Sequence, residues 1–217
     1  MFIGHLGLAF AAKRVAPRTS LGTLAAASQW VDLVWPLLLL LGVERVRIAP
    51  GATAVTPLDF EYYPFTHSLV AVLLWALAFG VAYQLVTRDR RGSATLAALV
   101  ASHWVLDALT HRPDLPLLPG GSARVGLGLW NSVPATVAVE GALFVAGVAS
   151  YALFTRPRDR VGAVGLWSLV AFLAVAYAGN LFGSPPPSGA AIGWVGLSMW
   201  LLVAWFAWVD RHRLRAA

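Results

Sequence analysis

The chain has 217 residues and a formal net charge of +6; 59% of its residues are hydrophobic and only 12% are charged. About a quarter of the residues in soluble domains are charged, so this composition excludes an ordinary soluble enzyme and indicates an integral membrane protein. The basic residues form short clusters at the ends of apolar stretches, which favours membrane topology over nucleic-acid binding.

Seven apolar stretches follow one another along the chain, and a membrane span needs about 20 mostly apolar residues. They cover residues 2–12, 21–43, 64–86, 94–109, 133–154, 164–182 and 192–209. The first is shorter than a span requires, and it can be tilted, re-entrant or lodged in the interior of the bundle. We predict one all-α domain over residues 1–217, a polytopic transmembrane bundle with about six to seven membrane segments. The polar site is expected mainly within residues 1–145, with two further helices at 162–210.

The connections between these stretches alternate in charge. Twelve of the 16 basic residues lie in every second connection or at the C-terminal end: Lys13, Arg14, Arg18, Arg88, Arg90, Arg91, Arg156, Arg158, Arg160, Arg211, Arg213 and Arg215. The positive-inside rule therefore predicts a cytoplasmic C-terminus and an N-terminus outside. The outer connections, residues 44–63 and 110–132, are predicted to pack over the mouth of the bundle. Four loop residues are expected at this mouth: Asp59, Glu61, His111 and Asp114.

Six ionisable residues lie inside the apolar stretches, where a charge near the membrane centre costs at least about 2.5–3.5 kcal/mol. They are His5, Asp32, His67, His103, Asp107 and Glu140. Any one of them alone can be an interhelical hydrogen-bond anchor, and His67 alone can be a solvated residue at a helix start. The predicted topology, however, places all six in the outer half of the membrane and none in the inner half. Their common depth favours a shared polar site over scattered packing contacts.

The spacing of two of these residues points to metal binding. His103 and Asp107 are four residues apart, so their side chains leave the same face of a helix. Imidazole and carboxylate both suit zinc or a similar divalent cation, and the absence of cysteine excludes a thiolate site. Pro36, four residues after Asp32, is predicted to kink the second segment.

Four motifs contain the ionisable residues of the first four stretches: Gly4-His5, Gln29-Trp30-Val31-Asp32, Pro64-Phe65-Thr66-His67-Ser68 and Ser102-His103-Trp104-Val105-Leu106-Asp107. Together they resemble a bacterial inner-membrane family of metal-dependent hydrolases that includes a LexA-regulated membrane protein. A bacterial subgroup is similar further along the chain, in Thr110-His111-Arg112-Pro113-Asp114 and in Gly128-Leu129-Trp130-Asn131-Ser132, which is followed by Glu140. The resemblance implies a location in the bacterial cytoplasmic (inner) membrane and a hydrolytic metal site.

The order of these residues is also similar to that in the zinc-dependent phospholipase C and P1 nuclease group. This similarity implies five ligands to a divalent metal, zinc or else manganese: His5, Asp32, His67, His103 and Asp107. That group has a second His-x-x-x-acid pair, whereas Glu140 is preceded here by Thr136. We therefore expect one or two metal ions instead of three, with Asp32 or Glu140 as general base.

The leading hypothesis is a membrane-embedded metal-dependent hydrolase that opens to the extracytoplasmic side and acts on a phosphoester or lipid-associated substrate. One alternative is a proton- or ion-coupled transporter, since intramembrane His and carboxylate groups also form proton relays. The absence of an internal repeat and of polar residues in the inner half disfavours this alternative. Another is a structural or regulatory membrane protein whose polar core fixes helix packing. The sequence leaves the substrate, the metal and the oligomeric state open.

Overall fold

Helices form the body of the protein, as the composition predicted, in a computed structural model that describes residues 1–216. They are α1 (Ile3–Val15), α2 (Leu21–Ser28), α3 (Trp30–Leu40), α4 (Pro64–His67), α5 (Leu69–Thr87), α6 (Arg90–Thr110), α7 (Val133–Phe154), α8 (Arg160–Phe182), α9 (Gly189–Leu197) and α10 (Met199–Arg211). Antiparallel strand pairs join β1 (Arg45–Ile48) to β2 (Leu58–Tyr62), β3 (Leu115–Pro116) to β4 (Arg124–Val125) and β5 (Thr155–Pro157) to β6 (Arg213–Arg215).

The bundle has about six membrane segments, in agreement with the predicted fold class. Four single helices, α5 to α8, are long and apolar enough to cross a membrane, and α9 and α10 together make a fifth crossing. The bent pair of α2 and α3 supplies a sixth.

The first apolar stretch fills the interior of this bundle, which is one of the three interpretations that the sequence left open. α1 is about 20 Å long, shorter than the roughly 30 Å hydrocarbon core, and most of its side chains are buried. It packs most closely on α7, where Gly7 and Gly147 bring the two backbones together. A Cβ atom on Gly147 would lie 2.8 Å from the Cα of Gly7, so this approach requires glycine.

The second segment is broken at Gln29, a bend that the sequence analysis did not predict, since it expected a kink at Pro36. The axes of α2 and α3 meet at 58°, and α3 continues through Pro36. The break places Asp32 in the first turn of α3, where the positive end of the helix dipole favours a carboxylate.

The basic clusters gather at one end of the bundle, which we call the basic end. β5 and β6 pair there and carry Arg156 and Arg213 with their neighbours. Thr19 joins the connection after α1 to this end, because its backbone oxygen accepts from Lys13 Nζ at 2.9 Å and its hydroxyl lies 3.1 Å from that of Tyr83. The start of α1, with His5, lies at the opposite end, which we call the site end.

A partly buried ion pair that the sequence did not predict closes the basic end. Lys13 Nζ lies 2.6 Å from Asp210 Oδ2, and both side chains are 11% exposed. The hydroxyl of Tyr151 donates to Asp210 Oδ1 at 2.9 Å, and the backbone N–H of Leu21 donates to Oδ2 at 3.0 Å. We call Lys13, Tyr151 and Asp210 the clasp. It escaped the sequence analysis because the last apolar stretch was taken to end before Asp210.

Candidate metal centre

The structure brings the five predicted ligands together at the site end. His5 comes from α1, Asp32 from α3, His67 from the end of α4, and His103 and Asp107 from α6. We call these five residues the His–Asp cluster. The side chains of its three histidines and of Asp107 are at most 5% exposed, whereas that of Asp32 is 25% exposed. Asp32 is therefore the member of the cluster most open to an incoming molecule.

Four of the polar groups face one another at the distances that a small cation requires. His67 Nε2 lies 3.3 Å from Asp32 Oδ1 and 3.9 Å from Asp107 Oδ2. His103 Nε2 lies 3.5 Å from Asp32 Oδ2 and 3.1 Å from Asp107 Oδ2. Ligands at about 2.0–2.1 Å from a tetrahedral zinc ion are separated by about 3.3 Å, so these spacings suit such an ion. The ligand atoms of Asp32, His67 and His103 all lie within 4.8 Å of one another, as do those of His5, His103 and Asp107.

The break after α2 fixes the orientation of His103. The end of a helix leaves carbonyl groups without intrahelical partners, and the carbonyl of Ser28, the last residue of α2, lies 2.8 Å from His103 Nδ1. A carbonyl can only accept, so Nδ1 carries the hydrogen. In the neutral ring, Nε2 is then an unprotonated nitrogen that points at Asp32 and Asp107.

His67 is oriented by a relay that sequence reasoning missed. The Thr66 hydroxyl lies 2.7 Å from Glu44 Oε2 and 2.7 Å from His67 Nδ1. An ionised carboxylate can only accept, so Thr66 donates to Glu44 and accepts from His67 Nδ1–H. Glu44, 1% exposed, also accepts from the backbone N–H groups of Phe65 and Thr66 at 2.8 and 3.0 Å. The sequence offered no signal for this role, because Glu44 reads as the first residue of a polar loop.

With both Nδ1 atoms protonated, hydrogen-bond acceptors face one another inside the His–Asp cluster. Both Nε2 atoms are unprotonated in the neutral rings, and each points at two carboxylates. His103 Nε2 has no hydrogen-bond partner within the described residues. Such an arrangement requires positive charge between the groups, either as protons on the imidazoles or as a bound cation. The donor set, two imidazoles and two carboxylates, fits a divalent cation.

His5 approaches the same cluster from the side of α1. Its Nε2 lies 3.1 Å from Asp107 Oδ1, the oxygen that faces away from His67 and His103. Its ring stacks on that of His103 with centroids 3.7 Å apart and planes 8° apart. The amino group of Met1 lies 2.7 Å from the same Oδ1. His5 therefore supports both Asp107 and His103, and its role as a direct ligand stays a prediction.

Glu140 connects α7 to the start of α1. Its Oε2 accepts from the backbone N–H groups of Phe2 at 2.8 Å and Gly4 at 3.2 Å. These groups belong to the N-terminal end of α1, whose first N–H groups have no intrahelical acceptors, and Phe2 offers no side-chain oxygen. Glu140 lines the cavity beside the cluster, and its predicted role as general base stays a prediction.

A cavity of about 550 Å³ leads away from the cluster. Asp32, His67, Asp107 and Glu140 line its polar end, and the rest of the wall includes residues of α3, α8 and α9, of the β1–β2 hairpin and of the connection between α8 and α9. The Trp35 indole N–H and the Tyr177 hydroxyl also belong to this wall, and both are buried without a hydrogen-bond partner among residues 1–216.

Of the four loop residues expected at the mouth, His111 lines the cavity. His111 Nδ1 lies 2.9 Å from Asp114 Oδ1, which also accepts from the hydroxyl of Tyr63 at 3.2 Å. Burial lowers the pKa of His111, so the neutral imidazole is favoured. Burial alone would raise the pKa of Asp114, but its interactions with His111 and Arg112 together outweigh that effect and lower the pKa.

Comparison with known protein families places the chain in one of them. The model of the YdjM inner membrane protein family matches residues 63–183, more than half of the chain. No curated protein matches the chain, and no solved structure matches it. The matched region contains His67, His103, Asp107 and Glu140, whereas His5 and Asp32 precede it. The family description states a membrane location and no reaction, so it supports the membrane part of the resemblance and leaves the hydrolase part untested. With its several apolar helices, the chain is a multi-pass inner-membrane protein and belongs to the YdjM inner membrane protein family.

Proposed function

We propose that this protein is a membrane-embedded, metal-dependent hydrolase acting on phosphoester or lipid-associated substrates. The observation that carries the proposal is the convergence of two imidazole Nε2 atoms and two carboxylates at 3.1–3.9 Å in the His–Asp cluster. Leaving such groups facing one another without a cation is unfavourable, and a structural core has no need of them.

One metal ion is the arrangement that the hydrogen bonds favour. His103 Nδ1 is engaged by the carbonyl of Ser28, so His103 has a single nitrogen to offer. The ligands would be the Nε2 atoms of His67 and His103 with carboxylate oxygens of Asp32 and Asp107. His5, beside the other oxygen of Asp107, would hold that carboxylate in place. Imidazole and carboxylate ligands suit zinc, and manganese is the next candidate.

The chemistry divides between the ion and the residues around it. When bound, a divalent cation supplies Lewis acidity and a nucleophile that is active at neutral pH. Glu140 lines the same cavity and holds the start of α1 through Oε2, so its Oε1 can take the proton that a water releases. Asp32, the most exposed carboxylate of the cluster, meets the substrate first.

The orientation of the site follows from the charge distribution. The basic clusters and the His–Asp cluster lie at opposite ends of α1. If the basic end is cytoplasmic, as the positive-inside rule requires, the metal centre opens to the extracytoplasmic side.

Transport is the weaker alternative. The segment of α1 between the two charged clusters is apolar, and its Leu6 and Phe10 pack in the core with Leu24 of α2, each less than 4% exposed. An apolar plug of this kind favours a one-sided site over a proton or ion pathway.

Elemental analysis of the detergent-purified protein tests the proposal. We expect about one equivalent of zinc or manganese in the wild type and none in the His103→Ala, Asp107→Ala double variant. A matched control is the double variant His212→Ala, Asp159→Ala. It removes the same residue types from an exposed pair, 2.8 Å apart, at the basic end, and should keep the metal. A folded wild type that is metal-free and takes up no added zinc or manganese would refute the hydrolase.

A further inference from the structure

We propose that the metal centre takes a phosphate-bearing membrane lipid, which enters sideways from the bilayer through a cleft between α8 and α9. That the lipid is the substrate rests on the proposed function. The cleft itself is defined by packing that does not depend on a metal.

The cleft exists because α8 and α9 pack on different partners. α9 lies against α3, where a Cβ on Gly193 would come within 2.7 Å of Leu40 Cγ and one on Gly196 would meet the ring of Pro36. α8 packs instead on α10 and α1, and it scarcely touches α9. The cavity beside the His–Asp cluster therefore continues between two helices of the membrane-spanning part.

The aqueous side of the cavity is covered, whereas the lipid side is not. The tip of the hairpin formed by β1 and β2 contributes Val55 to the cavity wall, and the N–H of Val55 donates to the carbonyl of Trp130 at 3.1 Å. That bond ties the hairpin to the opposite loop above the site. On the lateral side, Gly179 and Val195 line the cavity and are exposed, Val195 by 71%. Entry from the bilayer is therefore the more open route.

The lining changes from polar to apolar along this route. Carboxylates and imidazoles stand at the inner end, and the wall toward the bilayer includes Leu181, Ile192, Val195 and Met199. Tyr177 and Trp35 also line the cavity, and their hydroxyl and indole N–H, which have no partner among residues 1–216, are donors that a phosphate oxygen would satisfy. An anionic head beside a metal ion and a hydrocarbon tail among apolar side chains are the two parts of a phospholipid.

Photolabelling of the protein in lipid nanodiscs tests this inference. The probe is a phosphatidic acid with a diazirine in one acyl chain, and a matched diacylglycerol probe lacks only the phosphate. We expect phosphatidic acid to label α8 and α9 residues of the cleft, and diacylglycerol to label them about tenfold less. The variant Val195→Trp should reduce labelling by phosphatidic acid about tenfold by filling the cleft. The control Val175→Trp changes an α8 valine that is also 71% exposed and lies outside the cavity, and should leave labelling unchanged.

The outcomes separate this inference from the proposed function. Photolabelling by phosphatidic acid that is spread evenly over lipid-facing residues, and that Val195→Trp does not reduce, would overturn the proposal of a lipid cleft even if the metal is present. A cleft occupied by a second copy of the chain, seen as a dimer by native mass spectrometry, would overturn it too. Selective labelling of the cleft in a protein without metal would support the lipid site while refuting the hydrolase.

Discussion

The clasp and the His–Asp cluster each include one residue of α1, Lys13 and His5, which lie about 12 Å apart along this helix. The two clusters are built in opposite ways. In the clasp, every oxygen of Asp210 accepts from a donor: Lys13 and the N–H of Leu21 on one side, Tyr151 on the other. In the His–Asp cluster, the Nε2 atoms of His67 and His103 point at carboxylates that are acceptors themselves. A satisfied cluster stabilises the fold, whereas an unsatisfied one keeps its binding capacity for something that is not part of the chain.

The largest effect should come from breaking the clasp. Lys13→Met leaves the Asp210 carboxylate buried without its cation, which costs about 3–5 kcal/mol and should lower the thermal midpoint by roughly 6–20 °C. Arg14→Met, at the exposed neighbouring position, should change the midpoint by less than about 2 °C. Thermal unfolding in detergent measures both, and equal midpoints for the two variants would contradict the stabilising role of the clasp.

The next largest effect on the thermal midpoint should come from the packing of α1, which carries a residue of each cluster, against α7. Gly147→Ala would push a methyl group into the backbone of Gly7, and overpacking of this kind costs about 1–3 kcal/mol. Gly141→Ala is the control on the same helix, because a Cβ there meets nothing within 4 Å. We expect a lower thermal midpoint for the first variant and an unchanged or slightly higher one for the second. Identical midpoints would mean that α1 and α7 do not pack through these glycines.

The relay behind His67 offers a test confined to the His–Asp cluster. In Glu44→Gln, the side-chain NH₂ would donate to the Thr66 hydroxyl, which would then donate to His67 Nδ1 and move the ring hydrogen to Nε2. Zinc affinity, measured by competition with a chelator, should fall about 10–100-fold. Nitrogen NMR of His67 should report the change of tautomer.

A matched carboxylate variant controls for the loss of charge. Glu61→Gln, in β2, is 45% exposed at its side chain and should keep wild-type zinc affinity. A Glu44→Gln protein with unchanged affinity and an unchanged tautomer would show that the relay does not orient His67.

The smallest expected change in thermal midpoint comes from a pair of Asp→Asn variants, one in each cluster, which compares the two clusters directly. Asp32→Asn places an amide donor between two acceptor nitrogens, so it should raise the midpoint of chelator-treated protein by roughly 2–4 °C, about 1 kcal/mol. Asp210→Asn removes the partner of Lys13 and should lower the midpoint. A decrease in both variants would mean that the two clusters have the same structural role.

The parts of the structure that depend on single segments could be predicted from the sequence. The four-residue spacing of His103 and Asp107 and the common depth of the six ionisable residues predicted a shared polar site, and the family resemblance implied which five of them form the His–Asp cluster. The position of α1 could not be predicted, because it depends on the approach of Gly7 to Gly147 across 140 residues of chain. Glu44 was missed for a similar reason, since only the folded hairpin brings its carboxylate to Thr66. Hydropathy identifies which segments enter the membrane, but it does not identify which pairs of helices touch.

The clasp also sets an order on how the protein is made. Lys13 and Asp210 are 197 residues apart, so at about 5–20 residues per second the ribosome delivers the carboxylate roughly 10–40 s after the lysine. α1 therefore waits for α10 before the cation of Lys13 is neutralised. Because α1 also carries His5, the helix that contributes to the His–Asp cluster is held at its other end only after α10 has been made.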